Sequence, residues 1–200
     1  MDKNRVSGKK ALSFEEKIFL KLYREMYGEA YGINDVSDIE GIRIKYVKGQ
    51  TVIFFFSQCW VPVGGYCFEW MDYGPRSESL KILMQGLDLC EKKEIIDEFY
   101  ASSECQAFFR DFLEEKIRIV SQKMSLFANK NVKTDLTDIQ VVKNMEIISS
   151  LAYLYRIELR SKSFKEVNDE LKRRKKGDID EEMNRMVWDR LAEIDIVPNF

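Results

Sequence analysis

Apolar residues recur at helical spacing along most of this chain. Ile18, Leu22 and Met26 form a stripe beside Phe19 and Tyr23, preceded by the capping box Ser13-Phe14-Glu15-Glu16 and followed by Gly28. That combination predicts a helix over 14–27 with one buried face. From Ser37 to Phe56 the pattern supports two readings. Ile42-Arg43-Ile44-Lys45-Tyr46-Val47, Lys48-Gly49-Gln50 and Thr51-Val52-Ile53-Phe54-Phe55-Phe56 read as strand, turn and strand. The box Ser37-Asp38-Ile39-Glu40 and a stripe through Ile39, Ile42, Tyr46, Gly49, Ile53 and Phe56 read as one helix.

Beyond this point the spacing is helical again. Leu80, Leu83, Met84 and Leu87 predict a helix over 78–90, and a short one follows around Glu94 to Tyr100. Ser103-Glu104-Cys105-Gln106 is a further capping box, expected to open the longest helix. Phe109, Leu113, Ile117, Val120, Met124 and Phe127 form its stripe, and Asn129-Lys130-Asn131 ends it. Three more helices follow: one from about Asp138 to Leu159, one opened by Ser163-Phe164-Lys165-Glu166, and one capped by Asp180 with Met183, Val187, Trp188 and Leu191 on its apolar side. The fold class expected is a mainly α, compact domain. Residues 1–12 are expected to form a flexible tail, 13–131 a helical core, and 132–200 a winged-helix-like three-helix part.

One segment departs from the helical pattern. In Gly65-Tyr66-Cys67-Phe68-Glu69-Trp70-Met71-Asp72-Tyr73-Gly74-Pro75-Arg76-Ser77, alternate positions are aromatic, so an extended chain would present Tyr66, Phe68 and Trp70 on one face. Gly74-Pro75 is expected to stop the strand, and Ser77 to cap a helix beginning at Glu78. Tyr66, Phe68, Trp70, Tyr73, Gly74, Pro75 and Ser77 thus form a corner at 65–80, serving either as core or as an anchor for a partner.

The pattern G-Y-x-F-x-W-x-x-Y-G-P-x-S-x-x-L resembles the signature of the bacterial YwgA-like proteins and, more distantly, the Panacea (SocA-like antitoxin) domain. Met145-Glu146-Ile147-Ile148-Ser149-Ser150-Leu151-Ala152-Tyr153-Leu154 resembles the family's L-E-L-x-A-S-x-x-Y-L helix. The resemblance runs from about Lys45 to Leu191. Lys45, Lys48, Val52 and Phe54 match its helix ahead of the aromatic signature, which favours helix over hairpin for 42–56. Lys176-Gly177-Asp178-Ile179 replaces the family's Lys-Pro-x-aromatic turn, so a differently shaped turn is expected there. The Panacea likeness implies neutralisation of a partner protein.

Composition narrows the chemistry. The chain has 200 residues, 32 basic against 34 acidic, a net charge of -2 and no histidine. Histidine-based nucleophilic, acid–base and metal-hydrolytic sites are excluded, and no phosphate-cradling glycine loop occurs. A catalytic role is not expected, nor a cofactor or a metal. Cys59, Cys67, Cys90 and Cys105 lack ligand spacing and read as reduced thiols. Glu69 and Asp72 are the closest candidate carboxylate pair. Met1 to Lys10 has no apolar secretion core, and Thr51 to Phe56 is too short to span a bilayer, so a cytoplasmic protein without membrane contact is expected.

Lys172, Arg173, Arg174, Lys175 and Lys176 form the densest cationic run. Such a run meets phosphates or simply stabilises a helix C-terminus, and the second use is the commoner. The expected function is a protein-interaction or regulatory module, antitoxin-like or accessory to a toxin–antitoxin or phage-defence system, with a partner from the same operon. The alternative is a winged-helix DNA-binding regulator.

Overall fold

The computed structural model describes residues 11–32, 39–71, 74–107, 112–133, 135–160, 162–175 and 180–198. Helix α1 spans Phe14–Tyr27, and its capping box forms as the sequence predicts: the Ser13 amide donates to Glu16 Oε2 at 2.7 Å and the Glu16 amide to Ser13 Oγ at 3.2 Å. Gly28 ends it at φ 70°, a left-handed conformation that costs glycine little. Leu12, in the expected tail, is buried and already belongs to the core.

The ambiguous segment is a helix, α2, over Ile39–Gln58. Phe54, Phe55 and Phe56 are all fully buried, which a two-faced hairpin would not achieve for consecutive residues. α2 is the central rod, with α1, α3, α7 and the hairpin packed around its C-terminal half. Its first turns emerge from the core, leaving Ile39 and Ile42 exposed. Gly49 makes room for side chains: a Cβ there would lie 2.4 Å from Met84 Cε and 3.2 Å from Phe19 Cζ. The box beginning at Ser37 lies outside the described residues.

The aromatic segment is extended, but it turns back on itself. Strand β1, Glu69–Met71, pairs antiparallel with β2, Gly74–Arg76, placing Trp70 opposite Pro75. Pro75 therefore does not stop the strand. With one partner strand only, its missing N–H leaves no ladder bond unmade on the outer side. Helix α3, Glu78–Leu87, begins where expected, but Ser77 makes no side-chain cap. Its backbone is held instead by Gln50, whose Oε1 accepts from the Ser77 amide at 2.9 Å and whose Nε2 donates to the Ser77 carbonyl at 3.0 Å.

A 3₁₀ turn at Cys90–Lys92 leads into α4, Lys93–Ala101, then α5, Ser103–Ala107, and α6, Phe112–Ala128. The expected cap at Ser103 is displaced by one residue, because Ser102 Oγ accepts from the Cys105 amide at 3.2 Å. Phe109, Arg110 and Asp111 lie outside the described residues. The described helix α6 has 17 residues against the 20 of α2, and residues 108–111, which would join α5 to α6 in the single long helix expected, lie outside the described residues.

α7, Asp138–Tyr153, opens on a capping box of Thr137 and Gln140 and ends in a π-helical turn at Leu154–Glu158. α8, Phe164–Lys175, and α9, Glu181–Ala192, follow and pack on α7 and on each other. The Ser163–Glu166 box and the Asp180 cap both form. A buried amide pair, Asn184 Nδ2 donating to Asn168 Oδ1 at 2.6 Å, joins α9 to α8. Among the described residues the fold is mainly helical with this one short hairpin, and no helix is long and apolar enough to cross a membrane.

Candidate interaction site

The alternating aromatic face points inward. Phe68 meets Phe54 edge-on at 5.1 Å, Tyr66 follows at 6.4 Å from Phe68, and Trp70 packs on Tyr153 at 5.8 Å. All three are half-buried, and Gly74, Pro75 and Ser77 are buried, so the corner seals α2 and α7 on one side. Partial burial, with minor help from Glu15 and Glu16, pushes the Tyr66 phenol up to about 12. Tyr73 and Asp72 lie outside the described residues, and Glu69 is exposed.

The basic run is committed to protein carboxylates. Lys172 pairs with Glu181, Arg173 with Glu170, and Arg174 with both Glu170 and Glu158. Hydrogen bonds from Arg173 and Arg174 hold the Glu170 carboxyl down at about 2. Lys175 Nζ approaches Glu146 Oε2 at 3.8 Å, and burial lowers its ammonium. Glu146 also accepts from Arg76 at 3.3 Å, forming a buried centre between β2, α7 and the end of α8. Lys176 lies outside the described residues.

A second ionic cluster, which no local pattern announced, lies beside a cleft of about 460 Å³ between α1, α2 and the start of α7. Lys48 is buried, with its ammonium 2.8 Å from Glu29 Oε1 and 3.0 Å from Asp138 Oδ1, and Lys130 reaches the same Asp138 oxygen at 2.9 Å. Burial alone would raise Asp138, but the two ammonium groups outweigh it and hold the carboxyl low. Tyr27 Oη donates to the Lys48 carbonyl at 3.0 Å. The residues come from four separate parts of the chain, so the cluster ties α2 to α7.

The thiols of Cys59, Cys67 and Cys105 are free, and burial pushes Cys59 up to about 12, far from a reactive thiolate. Among the described residues no group of three or more potential ligands is placed to hold a metal ion.

A groove of about 550 Å³ runs between α6, α7 and α9. Phe127 and Leu136 are buried in its floor, while Leu126 and Met186 are 45% and 49% exposed along it. Met183 stands one turn before Met186 and is half-buried. Asn144 braces the wall by donating to the Phe127 carbonyl at 2.9 Å. Glu193 is held by Lys123 at 2.7 Å and Arg190 at 2.6 Å. Lys133 and Asp189, also lining the groove, are exposed and make no ion pair among the described residues. The sequence carried one faint signal of this surface: Met186 lies off the Met183, Val187, Leu191 stripe, an apolar residue without a place in the helix's buried face.

No protein-family model, curated protein or solved structure matches the chain.

Proposed function

We propose that this protein is an interaction module without catalytic function, binding another protein through the groove between α6, α7 and α9. The observation that carries the reading is the pairing of an apolar floor with exposed Leu126 and Met186 in a concavity of about 550 Å³. Concave, mostly apolar surfaces with a few polar wall groups are the usual form of a binding site, and methionine adapts to irregular partner surfaces. The motif resemblance adds a setting: an antitoxin-like or accessory component acting on a protein encoded beside it.

The regulator alternative draws less support, since Lys172, Arg173 and Arg174 each pair with a glutamate and would have to release it to meet a phosphate. Two measurements test the proposal. Capture from the native host should recover a stoichiometric partner with the parent protein and lose it with Met186→Glu, at unchanged melting temperature. Duplex DNA binding should stay in the non-specific range of roughly 10⁻⁴ to 10⁻⁶ M at physiological salt. Nanomolar, sequence-selective duplex binding abolished by replacing Arg173, Arg174 and Lys175 with glutamine would replace this proposal with the regulator.

A further inference from the structure

We infer that the occupant of the α6–α7–α9 groove is an amphipathic helix of a different protein, bearing an acidic group toward Lys133 and a basic group toward Asp189. The inference rests on the groove being the docking face and adds the identity of what enters it.

Shape gives the first argument. The walls are the flanks of three helices, and the apolar groups that remain open, Leu126, Met183 and Met186, line a channel. A helix with apolar residues at i, i+3 or i+4, and i+7 presents a continuous ridge over about two to three turns, the complement of such a channel. Strand addition needs an open sheet edge, and the hairpin of Glu69–Met71 and Gly74–Arg76 packs on α2 and α7, with no residue of its own lining the groove.

Charge gives the second. Of the ions around the groove, Glu193 is already paired with Lys123 and Arg190. Lys133 at the α6–α7 turn and Asp189 on α9 remain, one of each sign and on different walls. A nucleic acid would meet Asp189 and Glu193 as well as the cations, which gives no net attraction. A partner helix with one charge of each sign satisfies both walls, and such rim charges set orientation and discrimination more than affinity.

A second copy of this chain is the weaker occupant. A two-fold interface sets the same patch against itself, and two concave grooves facing each other would leave both floors unfilled.

The experiment is selection on the full chain from a displayed library of helical peptides, about four turns long, with apolar residues fixed at one face and all flanking positions randomised. Enriched peptides should carry an acid and a base at a constant separation. They should lose at least about tenfold in affinity against Met186→Glu, where a carboxylate replaces an apolar contact. Selection against the double variant Lys133→Glu with Asp189→Lys should return the opposite charge order. Enrichment without a charge preference, an unreversed preference, or indifference to Met186→Glu would overturn the inference. So would recovery of no helical binder.

The two readings fail separately. A host partner lost on Met186→Glu together with an empty helix selection removes the helix while keeping the interaction module. Concentration-dependent self-association of the parent, measured by sedimentation and abolished by Met186→Glu, would assign the groove to a second copy. Absence of any partner and of self-association would remove the module reading itself.

Discussion

The guanidinium of Arg174 lies over the indole ring of Trp70, 4.6 Å from its centroid. The aromatic corner and the basic run, more than a hundred positions apart in sequence, are therefore one structural feature: Arg174, held by Glu158 and Glu170, closes the outer face of Trp70 while Tyr153 packs beside it. An arginine at the end of α8 thus clamps the C-terminal helices to the hairpin.

Trp70→Ala should cost about 2 kcal/mol, below the value for a fully buried tryptophan because the side chain is half-buried, with the lost cation–π contact included. Chemical denaturation measures it. Peptide or partner binding at the groove, measured well below the melting temperature, should be unchanged, since Trp70 does not line that surface. Full stability with lost binding would instead make Trp70 the anchor.

Among the described residues Glu146 is the sole anion paired with Arg76, and it approaches Lys175 as well. Glu146→Leu should destabilise the fold by about 3 to 5 kcal/mol, because an uncompensated cation is left out of water. The double variant Arg76→Met with Glu146→Met should recover most of that loss. If it does not, the pair contributes more than mutual neutralisation. Equilibrium unfolding of the three proteins decides it.

Gly74 has φ 126° and would place a Cβ 2.9 Å from Ser150 Oγ. Ser150 Oγ is buried and without a hydrogen-bond partner among the described residues, so Ser150→Ala should be neutral or slightly stabilising. Gly74→Ala should lower stability by about 1 to 3 kcal/mol through backbone strain. Adding Ser150→Ala should relieve only the steric part, leaving the double variant still below the parent in thermal melts.

Acid stability should depend on Glu170, whose carboxyl is held at about 2 against an ordinary 4.5 by hydrogen bonds from Arg173 and Arg174. A carboxyl lowered on folding stabilises the folded state above its ordinary value, and that contribution is lost as pH falls from about 4.5 toward 2. Glu170→Gln should be less stable than the parent near neutrality, with the difference shrinking through this window. A constant difference across the same pH series would show that the glutamate acts by packing alone.

Much of the helical architecture is legible in the sequence because its determinants are local. The Ser13 and Ser163 boxes, the Asp180 cap and the glycine stop at Gly28 each depend on residues within one turn, and each forms as read. The segment 42–56 is ambiguous because its helix is buried on all sides from Val47 to Phe56, and so loses there the one-sided periodicity that separates helix from strand. Only the packing of α1, α3 and α7 around α2 resolves it. Pro75 read as a terminator because a proline's local cost is fixed, whereas its tolerance in a strand depends on how many neighbours that strand has. Ser77 read as a cap, but Gln50 on another helix takes its backbone groups. The candidate surfaces follow the same division. A cluster of like charges is visible in sequence, but the glutamates that neutralise it come from α7, α8, α9 and the turn after α7. The groove exists only where three helices meet, since an exposed methionine becomes part of a binding surface through neighbours that sequence distance does not reveal.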